Sequence, residues 1–266
     1  MSYVFADTHC HFDFPPFSGD ERASLALAAL AGVQQIIVPA VTADRFVRIL
    51  KLARDHSQLF AALGLHPLYI AQHHEEQLEQ LAGFLASHPP KLVAVGEIGL
   101  DLYMAEPQFS RQQALLKAQL KLAKQHDLPV ILHSRRSHDQ LVAVLRRADV
   151  PRRGVVHGFA GSLAQAQAFI REGYYIGVGG TISYERAQKT RGVMAQLPLA
   201  SLLLETDAPD MPLAGFQGQA NRPERVAEVF KVLCQLRSEP ADEIAAHLQQ
   251  NTRSLFALPT TPDNKM

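Results

Sequence analysis

The feature that most constrains this chain is an alternation of two patterns. Short apolar or β-branched runs stand at 3–8, 35–40, 59–65, 92–96, 128–132, 154–156, 174–178 and 201–205. Such runs read as strands buried on both faces. Longer stretches with apolar residues three and four apart, the period of an amphipathic helix, stand at 18–32, 43–56, 74–88, 110–126, 137–148, 162–173, 184–197, 223–237 and 241–250. The first has the capping-box spacing Ser18 to Glu21 and ends at Gly32. The third stops at Pro89-Pro90, and the sixth ends at Gly173. Parallel strands need crossover helices. Eight such units predict an α/β fold, a single-domain (β/α)8 TIM barrel over 1–258, with a C-terminal tail over 259–266. An open doubly wound sheet fits less well, because the first strand ends in histidines and not in a glycine-rich phosphate loop.

The 266 residues are 47% hydrophobic and 20% charged, which allows a sizeable core. Lys+Arg and Asp+Glu both number 26, so the formal net charge is zero. That argues against a broad basic surface wrapping nucleic acid, but leaves room for an enzyme engaging a few phosphates. Cys10 and Cys234 are too few for a disulfide framework. No leader and no apolar run of membrane-spanning length is present. The expectation is a soluble cytoplasmic protein with no membrane association and no obligate protein partner.

The strand ends carry the chemistry-bearing residues. In a barrel of this kind, catalytic groups stand at the C-terminal ends of the strands. There the chain places His9 and His11 in "VFADTHCHFD", His66 in "GLHP", and Glu97 and Asp101 in "VGEIGLD". It places His133 and Arg135 in "VILHSR", His157 in "VVHGF", and Glu205 and Asp207 in "LLLETDAPD". Each run is apolar up to its last residue and then polar. Buried imidazoles and carboxylates need partners.

A metal centre satisfies such a set. Residues two apart on a strand share a face, so His9 and His11 can reach one ion while Cys10 points away. Taken alone, that pair fits either ligands or a solvated strand end. Several imidazoles with carboxylates form a mixed N/O set, which suits Zn, Mn, Co or Fe better than an all-oxygen Ca or Mg cage. Six candidate ligands exceed the need of one tetrahedral ion and point to two divalent ions. Zn, Mn, Mg and Co are the candidates.

These motifs, in this order, resemble the amidohydrolase superfamily and, more narrowly, the TatD-type metal-dependent hydrolases, many of which are deoxyribonucleases. The similarity runs from residue 7 to about residue 223. It implies a binuclear centre bridged by Glu97, with His9, His11 and Asp207 on one ion and His133 and His157 on the other. Two departures stand out. Glu97 occupies the place where many superfamily relatives have a carboxylated lysine. After strand eight the chain reads Asn221-Arg222-Pro223, where the family often has Arg-Asn-x-Pro.

The expected reaction is metal-assisted hydrolysis of an ester bond. Water held by two cations becomes hydroxide near neutral pH, and Asp207 can take the proton as general base. His66 and Arg135 are candidates to hold phosphate oxygens. Their alternatives are a loop histidine bonded to backbone and a salt bridge at a helix start. Arg136 reads as surface. Asp101 and Glu205 read as residues behind the ligands, with solvent contact as the alternative for Asp101; Glu205, two before Asp207 on one strand, is expected to share its face. Asp7 and Asp13 brace the first loop, and Cys10 packs away from the site. His56, His73, His74, His88, His126 and His247 read as structural or exposed. Phe12, Phe14, Phe17, Tyr103 and Phe159 either stack a base or cover the barrel mouth. The resemblance favours a nucleic-acid phosphodiester, with trimming of DNA ends as the leading version. A small phosphoester, a small-molecule amidase or lactonase activity, or a silent metal-binding barrel are the alternatives.

Overall fold

The structure is a computed structural model that describes residues 3–260. The strands are β1 (Phe5–Asp7), β2 (Val33–Pro39), β3 (Leu59–Leu63), β4 (Leu92–Asp101), β5 (Val130–Arg135), β6 (Gly154–Val156), β7 (Tyr175–Val178) and β8 (Leu202–Leu204). The helices are α1 (Glu21–Leu30), α2 (Phe46–Asp55), α3 (Glu75–Ala86), α4 (Phe109–Gln125), α5 (His138–Ala148), α6 (Leu163–Arg171), α7 (Gln188–Gln196), α8 (Val226–Leu236) and α9 (Ala241–Phe256). Neighbouring strands pair in parallel and in sequence order. The seam between β8 and β1 closes through single contacts. Thr8 N–H donates to Leu204 O at 3.0 Å, Asp207 N–H to His9 O at 2.9 Å and His11 N–H to Ala208 O at 2.7 Å. The α/β barrel read from the alternation is the fold observed.

Two apolar layers hold it. Outward-facing residues such as Ile36, Val38, Leu63 and Val95 pack against the helices. In α8, Val226, Val229, Phe230 and Leu233 recur at helical spacing and are buried. Each stabilises the fold by about 1.5–3 kcal/mol relative to exposure. Inward-facing Ile37, Ala62, Ala94, Ile131, Val155 and Leu203 form a plug inside the barrel. Leu255, Phe256 and Leu258 pack against that plug, which is why α9 runs six residues past the stretch expected to be helical. Of the expected tail, Pro259 still accepts a bond from Gln35 Nε2 at 3.0 Å. Residues 261–266 lie outside the described residues.

Several boundaries differ from expectation. β4 and β5 continue through Glu97, Asp101, His133 and Arg135, so these residues lie in the strands and not beyond them. β8 stops at Leu204, and Asp207 has φ 59°. The expected period of two from Glu205 to Asp207 along one strand is therefore broken. The capping box at α1 is absent: Glu21 accepts from Gly19 N–H at 3.1 Å, and Asp20 is the N-cap. No helix among the described residues is long and apolar enough to cross a membrane.

Candidate metal centre

The polar residues form the layer above the apolar plug. Side chains two apart on a strand share a face. Ile131 thus precedes His133, Val155 precedes His157 and Leu203 precedes Glu205, each continuing the inward row. β4 gains one residue against β5 between Val95 and Ile98. Such a bulge re-aims a side chain, and Glu97 sits within it, fully buried.

Glu97 is the hub. Its Oε1 lies 2.7 Å from His157 Nε2, 2.8 Å from His66 Nε2 and 3.1 Å from His133 Nδ1. Its Oε2 lies 3.1 Å from His9 Nε2 and 3.5 Å from His11 Nε2, without hydrogen-bond geometry. Asp207 Oδ1 stands 3.5 and 3.6 Å from the same two nitrogens. His9 and His11 face each other through Nε2 atoms 3.3 Å apart. Cys10, fully buried between them, forms an isolated bridge with Ala208, so their convergence comes from the β1–β8 seam and not from a longer first strand.

The electrostatics follow from this crowding. Burial works to raise the Glu97 carboxyl, but His66, His157 and His9 outweigh it and hold it well below the usual carboxylate range. Burial also works against charge on His11 and His157, yet Glu97 lifts them to about 9 and about 10. Burial dominates at His9, which falls well below the ordinary imidazole value, and at His66, which falls to about 4. Burial raises Asp207.

The surroundings fix the rings. Asp101 Oδ2 stands 2.8 Å from His133 Nε2, and Asp101 Oδ1 accepts from Tyr103 N–H at 2.9 Å. Asp101 is buried, so the solvent alternative does not hold. Leu68 N–H donates to His66 Nδ1 at 3.0 Å, leaving the proton of neutral His66 on Nε2, toward Glu97. Glu205 Oε1 accepts from Gly158 N–H and faces His157 Nδ1 at 3.9 Å. Burial lifts Glu205 to about 7. Asp7 accepts from His9 N–H, Thr206 N–H and the Thr206 hydroxyl, joining the two loops that carry His9 and Asp207.

Arg135 is exposed at the rim, its guanidinium 3.9 Å over the Tyr103 ring. The salt-bridge alternative for it finds no carboxylate partner among the described residues. Of the aromatic residues read as rim, Phe12, Phe17 and Phe159 are buried. The first two stack with centroids 5.0 Å apart beneath the first loop. Only Phe14 and Tyr103 remain at the mouth.

Some supporting residues escaped the motif reading. Asn221 Nδ2 donates to Thr206 O at 2.8 Å and to Met211 O at 3.1 Å, tying down the loop after β8. Gln119 takes both backbone groups of Leu65, and Gln112 both of Asp101. Their signal lies in the sequence: both fall on the buried face of α4 beside Leu116 and Leu120.

The donor atoms fit metal ions. Within 4.8 Å of one another lie the groups His9/His11/Asp207, His66/Glu97/His133 and His9/His157/Glu205. The first is the set expected for one ion. At the second expected set, His66 joins His133 and His157 around Glu97. The buried Glu97 Oε2, which faces His9 and His11, lacks a hydrogen-bond partner, as a ligand atom does where a cation completes it.

A family profile described as TatD related DNase matches residues 6–257. The chain is 66% identical over 255 residues to the uncharacterized metal-dependent hydrolase YjjV of Escherichia coli K12, covering 96% of this chain and 98% of that protein. The crystal structure of that E. coli TatD homolog superposes with a TM-score of 0.96, covering 97% of this chain and 100% of the other. The 3'-5' ssDNA/RNA exonuclease TatD of Erwinia amylovora is 31% identical over 249 residues, covering 91% and 95% of the two chains. With the buried His/Glu/Asp cup at the mouth of an eight-stranded barrel, these similarities establish that the chain belongs to the TatD family of metal-dependent hydrolases.

Proposed function

We propose that this hydrolase is a phosphodiesterase that trims DNA ends, using two divalent cations held on either side of Glu97. The observation that carries this is the division of the Glu97 carboxylate, with Oε2 toward His9 and His11 and Oε1 toward His133 and His157. His9, His11 and Asp207 would hold one ion and His133 and His157 the other, with Glu97 between them. The mixed N/O donor set suits Zn, Mn or Co, with Mg also within reach. When bound, the cations lower the pKa of water and neutralise charge on the phosphate oxygens.

The chain's own residues do the rest. Asp207 stands at the edge of the cup with its side chain 20% exposed, and takes the proton of the attacking water. Burial raises its pKa, which makes it a better base than a free aspartate. Arg135 presents a guanidinium fork to the non-bridging oxygens, and His66 Nε2–H, which faces Glu97 at 2.8 Å, would turn to the same oxygens once cations engage Glu97. Asp101 and Glu205 hold His133 and His157 in register. The relatives named as 3'-5' ssDNA/RNA exonucleases support nucleic acid as the substrate.

A small-molecule ester, amide or lactone is the second reading. It is favoured by the cup itself, a cavity of about 310 Å3 whose outer wall includes Phe14, Val41, Leu68 and Tyr69. A panel separates the two. Purified protein with added Mn, Mg or Zn is assayed on single-stranded DNA, a chromogenic phosphodiester and a small amide. The proposal expects hydrolysis of both phosphodiesters and inertness toward the amide. Cleavage of the amide alone would overturn it.

A further inference from the structure

The cup adjoins a larger groove of about 850 Å3, and the two share His133, His157, Asp207 and Asp210. Beyond the shared residues, Arg135, Arg136 and Lys189 wall the groove. All three are exposed, and among the described residues none has a carboxylate within 4.0 Å. The cation across the mouth differs. Arg45 lies 4.0 Å over the Phe14 ring but pairs with Asp13 at 3.4 Å. On the groove side, then, three cations stand outside ion-pair distance of any carboxylate among the described residues, whereas Arg45 across the mouth is paired.

The arginines are also held in place. The Tyr103 ring carries both guanidiniums, Arg135 at 3.9 Å and Arg136 at 4.3 Å from its centroid. Tyr103 N–H is anchored on Asp101, whose other oxygen faces His133. Arg136 has φ 55°, a left-handed conformation uncommon outside glycine and found where surrounding structure enforces it. One buried carboxylate thus ties the cationic platform to a ring of the cup. Asp139 and Asp210 also line the groove, and Asp139 is engaged by Gln165 Nε2 at 3.1 Å.

We propose that Arg136 and Lys189 form a track for the phosphates next to the scissile one. The substrate is then a nucleic-acid strand of four or more nucleotides that leaves the cup along the Arg136–Lys189 side. This rests on the phosphodiesterase reading above. A strand with two phosphates beyond the reacting one gains two contacts that a dinucleotide cannot make. Each contact displaces counterions, so binding of the longer strand depends more steeply on salt.

The test compares a dinucleotide with a decanucleotide, in wild type and in Arg136→Ala/Lys189→Ala, with Mn supplied. Wild type is expected to prefer the decanucleotide about tenfold or more in kcat/KM. In the double variant the preference falls to about twofold or less, through KM. The slope of log KM for the decanucleotide against log salt flattens by about 1.4, the value for two single-strand contacts. Both residues are exposed, and a matching thermal melt confirms the fold. Arg136→Lys/Lys189→Arg retains the preference, because a track needs charge at those points. An unchanged preference in the alanine variant would overturn the track and leave the nuclease reading intact, as would equal loss in the charge-preserving variant. Hydrolysis of a chromogenic phosphodiester with no hydrolysis of either oligonucleotide would overturn both.

Discussion

The imidazoles of His9 and His157 stack with centroids 3.8 Å apart and planes 7° from parallel. Their Nε2 atoms meet different oxygens of Glu97, at 3.1 and 2.7 Å. Two imidazolium ions stacked at this distance would repel strongly. The pair resolves this by holding one proton: burial and His157 keep His9 neutral, while Glu97 overrides burial to keep His157 charged. In the metal-free protein, protons occupy the positions that cations take in the proposed enzyme.

Metal uptake should therefore release protons. His11 and His157, lifted to about 9 and about 10, carry protons at pH 7 in the metal-free protein. Imidazole ligands must be neutral. Affinity then rises with pH up to about 9–10 and levels off. The stability that the two imidazolium ions confer on the metal-free fold has the opposite trend. It is complete below about 6.5, the ordinary imidazole value, and is lost as pH rises through 9–10. Calorimetric titration at pH 7 in buffers of different ionisation enthalpy measures the release. A metal-binding heat independent of buffer would contradict it.

Asp207→Asn should keep the fold and lose nearly all turnover. A positioned general base contributes about 10²–10⁴-fold, and asparagine cannot take a proton. The measurement is kcat with metal at saturation, beside a melting curve. Wild-type kcat in this variant would remove Asp207 from the reaction.

Gly177→Ala should destabilise the barrel by about 1–3 kcal/mol. A Cβ there would overlap Glu205 Oε2 and stand 2.9 Å from His157 Cα. Glu205 is fully buried and held by Gly158 N–H, so it has little room to yield. Chemical denaturation reads the change. Unaltered stability would mean that the carboxylate moves freely.

At the opposite end of the barrel, Phe256→Ala should cost about 3–5 kcal/mol. Phe256 is 2% exposed and packs on the inward plug beneath the cup. The midpoint of urea unfolding is the readout, and a loss below about 1 kcal/mol would mean that the plug is sealed without it.

The repeat of strand and helix was legible because burial on two faces writes continuous apolar runs, as in Ile131–Leu132 and Val155–Val156. The strand ends were less so. β4 continues through Glu97 and Asp101 because their partners, His133 among them, stand on the neighbouring strand. Polarity that marks a loop in an isolated run is here paired across the sheet. Glu205 and Asp207 looked like one face of one strand, whereas Asp207 leaves the ladder at φ 59° to meet His9 and His11. The aromatic residues of the first loop looked like a rim, but Phe12 and Phe17 stack inside. Periodicity has no bearing on how a loop folds back. Gln112 and Gln119 fall outside every motif, since motifs record the residues that react and not those that hold the loops.

The most direct test of the Glu97-centred account is an anomalous-scattering map of crystals soaked in Mn or Zn. The account predicts two peaks flanking Glu97, one by His9, His11 and Asp207 and one by His133 and His157. A single peak, or one confined to His66 and His133, would contradict it.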